Sequence, residues 1–410
     1  MEDTADVIVV GGGPAGVAAA IELRRYGVKR VMLIEREARL GGATRYCGHS
    51  PFGMREFGRV YSGPAYARRL EEEAERHGVM VRRGHSVVSL HDEACLTVAH
   101  DGKVSQLEAK RIIVATGARE SSRAARLLPG DRPVGILSTG ALQAYVVLHG
   151  WMPFRHPVVL GSELVTFSAV LTCLRHKARP MAVVEALPYA LARAPVSWFP
   201  YLAGVPFFRG AEVLDIQGGA RVEGVRISYG GETRDIACDG VLMTGRFVPE
   251  ASLFQSSGMG LAGGAQAPAI DQDGRCENPH YFACGNVLRA VETGGWAFRE
   301  GRSIGASVAR DLVRPRAMRW DDVPHVAVTF AQPIKLVVPG YVRIDDETPG
   351  ALREFQLRFT ARVRGELSLE LDGARVWGRR GEFVPERRVL VPMPAALHAA
   401  RRINFSFSEG

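Results

Sequence analysis

Residues 7–20, VIVVGGGPAGVAAA, carry the pattern from which the rest of the chain can be interpreted. Four apolar residues lead directly into Gly11, Gly13 and Gly16, which have G-x-G-x-x-G spacing, and a run without helix breakers follows. This pattern predicts a strand, a tight turn and a helix that bind a nucleotide diphosphate. Gly11 permits the turn, Gly13 lets the diphosphate approach the backbone, and Gly16 lets the helix pack closely on the strand. The helix N-terminus adds unpaired N–H groups and a partial positive charge.

A second apolar strand supports this interpretation. Val31–Ile34 ends in Glu35, roughly two dozen residues after the first glycine, near the spacing at which an acidic residue binds the adenosine ribose hydroxyls. The alternative is a glycine-rich turn in an ordinary α/β unit.

Composition and charge limit the possible functions. The 410 residues are 46% hydrophobic and 23% charged, as in ordinary soluble proteins of two or three domains. The net charge of +8 is spread along the chain, so nucleic-acid binding, which needs a basic stripe, is not predicted. The N-terminus MEDTADVIVV has no leader pattern, and no apolar run is long enough to cross a bilayer. We expect a cytoplasmic protein with at most peripheral contact with the inner face of the membrane.

The six cysteines include no C-x-x-C pair. Zinc and iron-sulfur spacings and a paired redox disulfide are therefore absent from the sequence, and no metal site is predicted.

Two further stretches suggest contact with a ligand. In LGGATRYCGHSPFGMREFG, residues 40–58, Gly41 and Gly42 are followed by small and polar residues, which indicates backbone close to a ligand or, alternatively, a structural loop. RIIVATGARE, residues 111–120, predicts a buried strand that ends in the sequence A-T-G.

Together these stretches resemble the two-dinucleotide-binding-domain flavoproteins, the glutathione and thioredoxin reductase superfamily. In that superfamily the A-T-G turn closes the first FAD segment, a second nucleotide-binding fold is inserted, and a late strand ending in Gly-Asp returns to the FAD. The matching return is HYFACGN, residues 280–286, with Gly285 and then Asn286, which keeps the hydrogen bond to the ribityl chain but loses the charge. The resemblance implies an α/β fold with two Rossmann-like three-layer nucleotide-binding domains, the second inserted in the first, plus a C-terminal antiparallel β domain.

The resemblance also implies domain boundaries. Residues 1–118 and 270–315 would form the FAD-binding domain, residues 119–269 the inserted degenerate NAD-type domain, and residues 322–410 a β-rich accessory domain. RPRAMRWDDVPH, residues 314–325, has the composition of a linker. Beyond it, apolar residues recur with a period of two through 326–330, 355–363 and 367–371, which predicts an antiparallel sheet with one apolar face. The arginine-bearing strand faces are either solvated surface or a docking face for a partner subunit.

Within the superfamily, the chain is more similar to the larger subunit of heteromeric opine oxidases, hydroxyproline or proline dehydrogenases and hydrogen cyanide synthase. This similarity is carried by the stretches GGATRYCGHSPFGMREFGRV, ATGARE, STGALQAYV, LGSELVTFSAVLTC and ACGNVLRAVETGGWAFREGR. It implies FAD as the cofactor. The helix that begins near Gly295 and Trp296 should direct its N-terminus at the flavin pyrimidine edge. The implied FAD contacts are Gly11, Gly13, Pro14, Ala15, Gly16, Glu35, Arg36, Gly42, Ala43, Thr44, Val87, Ala115, Thr116, Gly117, Gly285, Asn286, Gly295 and Trp296.

The inserted domain departs from a pyridine-nucleotide reductase at its turn. After the buried strand Pro157–Leu160 the sequence is GSELVT, with Glu163 and Thr166 at the second and third glycine positions. Cβ crowding and charge repulsion both oppose NAD(P)H, since one unit charge pair at roughly 4 Å costs several kcal/mol at an effective dielectric near 20. We expect a retained fold without NAD chemistry. The alternative is that Glu163 turns outward and some nucleotide still binds, because Val183, Val184 and Glu185 resemble a ribose-binding strand end.

Cys47 and His49 are the strongest catalytic candidates, placed near the flavin by analogy with the disulfide-bearing loop of related reductases. Cys47 has no nearby cysteine partner, so dithiol chemistry is excluded and a packed thiol is the alternative. His49 could exchange protons with flavin or substrate at neutral pH, or be a hydrogen-bonded loop residue.

The leading hypothesis is an FAD-binding subunit of a heteromeric dehydrogenase or oxidase acting on a secondary amine or amino acid, such as an opine, proline or hydroxyproline. Its partners would be a second flavoprotein subunit of the amine or amino-acid oxidase type and a small iron-sulfur protein. Any iron-sulfur centre would belong to a partner, and electrons would pass through the flavin and these centres to a quinone, a dye or oxygen. The alternatives are a self-contained NAD(P)H-dependent flavin reductase and a non-catalytic scaffold or electron relay.

Overall fold

The computed structural model describes residues 4–262, 266–314, 324–344 and 350–410. In chain order, the strands and helices are β1 (Thr4–Val10), α1 (Pro14–Arg25), β2 (Val31–Glu35), α2 (Met54–Phe57), α3 (Gly63–Arg76), β3 (Met80–Arg83), β4 (Ser86–His91), β5 (Cys95–His100), β6 (Lys103–Val114), β7 (Ala118–Glu120), β8 (Ile136–Ser138), α4 (Thr139–His149), β9 (Pro157–Leu160), α5 (Leu164–Arg175), β10 (Ala182–Glu185), α6 (Phe199–Leu202), β11 (Phe207–Arg209), β12 (Glu212–Gln217), β13 (Gly224–Tyr229), β14 (Glu232–Ala237), β15 (Gly240–Met243), β16 (Phe247–Pro249), α7 (Ser252–Ser256), β17 (Leu261–Ala262), β18 (Ala267–Pro268), β19 (Tyr281–Ala283), α8 (Gly294–Val313), β20 (His325–Phe330), β21 (Ile334–Val338), β22 (Tyr341–Arg343), β23 (Glu354–Phe359), β24 (Val363–Leu371), β25 (Ala374–Phe383), β26 (Val389–Pro392) and β27 (Ile403–Glu409).

The first sheet is parallel at its centre and carries the glycine-rich turn at the end of β1. Its order is β3-β2-β1-β6-β5-β4, with β19 added beside β6. The apolar runs of β1, β2 and β6 are buried, as expected for central parallel strands whose two faces are both covered. Tyr281 of β19 lies opposite Ile112 of β6 in parallel, although the whole second sheet lies between them in sequence. This pairing confirms that the second Rossmann-like unit is inserted in the first.

The second sheet repeats the order of the first. Its strands β11-β10-β9-β15-β8 are all parallel. The small antiparallel sheet β12-β13-β14 precedes β15, as the antiparallel strands β4 and β5 precede β6 in the first unit. The structure therefore contains two copies of one nucleotide-binding topology, in agreement with the predicted α/β fold class.

The C-terminal region consists of two packed sheets, β22-β20-β27-β24-β25 and β21-β23-β26. Its buried core includes the ring pairs Phe355–Phe405 and Phe359–Phe383, with centroids 5.3 and 4.6 Å apart. The antiparallel β region is confirmed, although β20 and β27 pair in parallel.

Two details of this region differ from the sequence interpretation. The continuous alternation over 355–363 is divided, because β23 ends at Phe359 and β24, which begins at Val363, belongs to the other sheet. A period of two specifies which face a residue occupies, but not where the chain changes sheets. Most of the predicted linker, 315–323, lies outside the described residues, and the domain boundaries stay a prediction. Within the described ranges, no helix is both long and apolar enough to cross a membrane.

Candidate functional site

The glycine-rich turn joins β1 to α1. Gly11 has φ of +107°, and a Cβ added there would lie 2.5 Å from the carbonyl oxygen of Ala115. A Cβ on Gly16 would overlap the carbonyl oxygen of Gly11. Packing within the chain therefore explains these two glycines. Gly13 is different, because a Cβ there would meet no protein atom within 4 Å. The space beside Gly13 is open, as a diphosphate-binding turn requires.

Glu35 is fixed at the end of β2 beside this turn. Its side chain accepts hydrogen bonds from the Gly12 N–H at 2.8 Å and from the Glu37 N–H at 2.9 Å. A carboxylate has about four acceptor sites, so capacity remains for ribose hydroxyls. Arg36 points to solvent, with 73% of its side chain exposed. Val87 lies on β4, two residues after His85, whose N–H donates to the Glu35 carbonyl at 3.1 Å.

The Gly-Gly segment lies against the same turn. The Gly41 N–H donates to the Gly12 carbonyl at 2.7 Å, and a Cβ on Gly42 would lie 3.1 Å from the Cα of Gly13. Thr44 is buried and its hydroxyl donates to the Gly41 carbonyl at 2.7 Å, whereas Ala43 is exposed. The structure therefore brings Gly41 and Gly42 against the glycine-rich turn, and the Thr44 hydroxyl is held by Gly41.

The A-T-G turn follows β6 and touches the first turn through Ala115. The Thr116 hydroxyl donates to the Glu250 carbonyl at 2.7 Å, so this hydroxyl already has a partner within the chain. Gly117 has open space where a Cβ would be, as Gly13 has.

The late strand β19 ends at a loop that Asn286 closes. The Asn286 amide donates to the Glu292 carbonyl and its Oδ1 accepts from the Glu292 N–H, both at 3.2 Å. The Gly285 N–H donates to Glu300 at 2.6 Å. Helix α8 begins two residues after Glu292, so Gly295 and Trp296 lie in its first turn. The predicted ribityl contact of Asn286 would have to use its remaining hydrogen-bonding capacity.

The corresponding turn of the inserted unit is filled by a side chain. Glu185 closes this turn, accepting from the Ser162 hydroxyl and from the Leu187 N–H, as Glu35 does in the first unit. The Glu163 carboxylate turns inward, 3.3 Å from the Arg246 backbone nitrogen, and occupies the position that a Cβ on Gly245 would need. Burial raises the pKa of Glu163. The alternative in which Glu163 turns outward is not what the structure contains.

Comparison with known families identifies the fold. The family description "Pyridine nucleotide-disulphide oxidoreductase" matches residues 5–301, which is more than half of the chain. The chain belongs to this family. Pyridine nucleotide-disulphide oxidoreductases are flavin-dependent oxidoreductases that bind FAD, and the open space at Gly13 and Gly117 fits that cofactor.

Individual proteins are similar to the chain at low identity. An opine oxidase subunit of Agrobacterium tumefaciens is 28% identical over 70% of this chain and 62% of its own length. A hydrogen cyanide synthase subunit of Pseudomonas protegens is 36% identical over 38% of this chain and 32% of its own length. The chain thus spans less than two thirds of these relatives. The thioredoxin reductase of T. acidophilum has the same fold, with a TM-score of 0.64 at 21% identity, covering 76% of this chain and all of that one.

Cys47 and His49, the two predicted catalytic candidates, lie in the loop between the Gly42–Tyr46 turn and α2. The Cys47 thiol is 3.3 Å from the Ala43 carbonyl, and burial raises its pKa to about 11, with the Glu120 charge adding to the effect. The thiol is therefore protonated at neutral pH. Burial also lowers the pKa of His49, whose ring lies 5.3 Å from that of Phe52. His49 is thus a neutral imidazole near pH 7, able to accept a proton.

Sequence reasoning missed a buried ionic cluster beside the start of α8. Glu292 contacts Arg358 and lies 2.5 Å from Arg388, while Arg289 contacts Glu300. From the sequence, the arginine-bearing faces of the C-terminal strands were expected to be either solvated surface or a docking face for a partner subunit. Arg358 is neither, since only 2% of its side chain is exposed and it binds Glu292 of the same chain. The sequence singled out the stretch VETGGW, which contains Glu292, but gave no sign of the ion pairs. No local pattern pairs Glu292 with residues more than sixty positions away.

Proposed function

We propose that this chain is the FAD-binding subunit of a heteromeric dehydrogenase or oxidase that oxidises a secondary amine or amino acid, such as an opine, proline or hydroxyproline. The observation that carries the proposal is the contrast between its two turns. The first leaves open space at Gly13, and the second is filled by the Glu163 carboxylate. The similarity to a component of an opine oxidase supports the substrate class.

The residues that would hold FAD lie around the first turn. The N-terminus of α1 and the backbone at Gly13 would bind the diphosphate, and Glu35 would bind the adenosine ribose. Gly285, Asn286 and the first turn of α8 would face the flavin end. When bound, FAD supplies hydride acceptance and one-electron relay. The protein's part is to position that cofactor, to exclude water, and to stabilise negative charge near the N-terminus of α8.

The position of the Glu163 carboxylate is the reason why NAD(P)H is not a reactant in the proposed function. Its carboxylate lies against Gly245, whereas the corresponding glycine of the first unit, Gly117, has open space beside it. A carboxylate at this turn would crowd a second diphosphate and, when charged, repel it. Electrons would instead enter from an amine substrate and pass through the flavin and iron-sulfur centres to a quinone, a dye or oxygen. The partners in this complex would be a small iron-sulfur protein and a second flavoprotein subunit. We also propose that iron-sulfur centres belong to the former, and that the protein is cytoplasmic with at most peripheral membrane contact.

An electron-relay subunit is a second candidate, favoured by the state of the two catalytic candidates. A thiol with a pKa of about 11 and a half-buried imidazole with a lowered pKa provide no nucleophilic thiolate and no cationic acid at neutral pH. Substrate oxidation would then occur on the partner flavoprotein. In that case the FAD of this chain is reduced by an amine only when the partner is present.

Copurification from the native host tests the heteromeric function. We expect a complex that contains more than one flavin per copy of this chain together with iron, and whose flavin absorbance is bleached anaerobically by a secondary amine or amino acid. The isolated chain should be yellow. A chain that is colourless when pure, or fully active alone with NADH, would contradict the proposal.

Glu163→Gly tests the filled turn separately, by calorimetric titration with NADH. Wild type should give no binding heat, whereas the glycine variant should bind NADH measurably. Glu163→Gln, which removes the charge and keeps the volume, is the matched control and should gain less. Binding of NADH to wild type with the same affinity as to the glycine variant would show that Glu163 is no barrier.

A further inference from the structure

The start of α8 is held by residues from the C-terminal sheets. Arg358 lies on β23 and Arg388 directly precedes β26, and both contact the carboxylate of Glu292. Arg289 contacts Glu300, and its Nε donates to Gln356 of β23 at 2.7 Å. The side chains of this cluster are 2–4% exposed, except for Arg388 at 19%.

The cluster also reaches the late-strand loop. Glu292 is the residue whose backbone is paired with the Asn286 side chain, and Glu300 accepts the Gly285 N–H. One side of the Gly285–Trp296 segment is therefore fixed by Glu292, whose charge arginines of the C-terminal region neutralise. The other side is fixed by Glu300, whose charge Arg289 neutralises while it also donates to Gln356 of β23. Breaking one side of such a buried ion pair leaves an uncompensated charge, which is strongly unfavourable.

Trp296 makes a second, independent contact with the C-terminal region. The Arg388 guanidinium carbon lies 3.7 Å from the centroid of the Trp296 ring, closer than those of Arg55 at 4.9 Å and Arg299 at 5.4 Å. A cation at this distance over an indole is favourable, and it restricts the orientation of the ring. Arg388 thus binds Glu292 and Trp296 at the same time.

We propose that Arg388 and Glu292 are positioning residues for the flavin, so that the C-terminal β region sets the placement and the electrostatic potential of the α8 N-terminus. This inference rests on the FAD site proposed above. Arg388 adds positive charge beside the first turn of α8, and Glu292 offsets it. The net field at this helix end therefore depends on a region that lies outside both nucleotide-binding folds.

Arg388 and Glu292 have opposite charges, so their removal should shift the flavin midpoint potential in opposite directions. Loss of the Arg388 cation should make the reduced, negatively charged flavin less stable and lower its midpoint potential. Loss of the Glu292 anion leaves the surrounding arginines uncompensated and should raise it. A role restricted to folding predicts no such opposition.

The experiment compares Arg388→Ala, Glu292→Gln and a control, Arg380→Ala, which removes an exposed arginine of β25. FAD affinity is measured by fluorescence titration of the apoprotein, and the midpoint potential by equilibration with a reference dye. We expect Arg388→Ala to raise the FAD Kd at least fivefold and lower the potential. Glu292→Gln should raise the potential, and Arg380→Ala should change neither.

The outcomes separate failure of the positioning role from failure of the proposed function. If wild type takes up no FAD, the proposed function fails. If wild type binds FAD and Arg388→Ala leaves Kd and potential unchanged, only the positioning role is overturned. Should Glu292→Gln not fold, the more exposed Arg388 site still decides the question. A fall in thermal stability without a change in Kd or potential also overturns it.

Discussion

At the residue scale, the second glycine position shows the difference between the two turns most clearly. Gly13 and Glu163 occupy the same place in two copies of one topology. The space beside Gly13 is open, whereas the Glu163 carboxylate fills the space beside Gly245 in its own turn. The sequence predicted this contrast, because the glycine spacing is local. It left open which way the Glu163 side chain points, which depends on the Gly245 turn more than eighty residues later.

Gly13→Ala should lower FAD affinity at least tenfold, which corresponds to about 1.4 kcal/mol. Gly13 has a φ of −75°, which alanine adopts readily, and no protein atom lies within 4 Å of the added Cβ. The melting temperature of the apoprotein should therefore stay unchanged, while fluorescence titration detects the loss of affinity. Gly16→Ala is the contrasting control and should destabilise the apoprotein itself. An FAD affinity equal to wild type would contradict the assignment of this space to the cofactor.

Cys47 should react slowly with iodoacetamide at pH 8, and its rate should rise about tenfold per pH unit as the pH approaches 11. Burial raises the thiol pKa to about 11, so the reactive thiolate is scarce below that pH. The measurement is the pH dependence of modification followed by mass spectrometry, with Cys47→Ser assigning the site. Rapid modification that levels off near pH 7 would indicate an activated thiol and restore Cys47 as a catalytic candidate.

At the scale of elements, the contact of α1 with α8 positions the late part of the chain against the first turn. A Cβ on Gly301 would overlap the carbonyl oxygen of Ala15, so the two helices can approach this closely only with glycine there. Sequence patterns found both helices but not their contact, because the partners are nearly three hundred residues apart.

Gly301→Ala should lower the free energy of unfolding by about 1–3 kcal/mol, as overpacking of a tight contact does. It should also weaken FAD binding, since α8 would move relative to the turn at Gly13. Chemical denaturation measures the first effect and fluorescence titration the second. Gly219→Ala is a suitable control, because a Cβ there meets nothing within 4 Å. Unchanged stability would mean that the helices separate at little cost.

At the scale of the whole molecule, the sequence predicted the individual folding units well, but not the contacts that attach the C-terminal sheets to the nucleotide-binding folds. The glycine motif, the A-T-G turn and the late strand together imply an inserted second fold, and the β19–β6 pairing confirms it. The attachment of the C-terminal sheets could not be predicted, because buried ion pairs such as Arg358–Glu292 have no local pattern. An arginine on an alternating strand looks the same in sequence whether solvent or a carboxylate lies opposite.

Arg343→Ala should uncouple the C-terminal sheets from the first unit. Arg343 of β22 is 3% exposed and lies 2.9 Å from Asp273, which also accepts hydrogen bonds from the Ser307 hydroxyl of α8 and the Ala351 N–H, both at 3.1 Å. Removing the guanidinium leaves Asp273 buried with less compensation, at a cost of about 3–5 kcal/mol. Because this cost falls on the contact between the regions, calorimetry should resolve an earlier transition of the C-terminal sheets in the variant and a single transition in wild type. Arg375→Ala, which removes an exposed arginine of β25, should leave the wild-type profile unchanged. A variant that still melts in one step at a lower temperature would instead mean that other contacts suffice to couple the two regions.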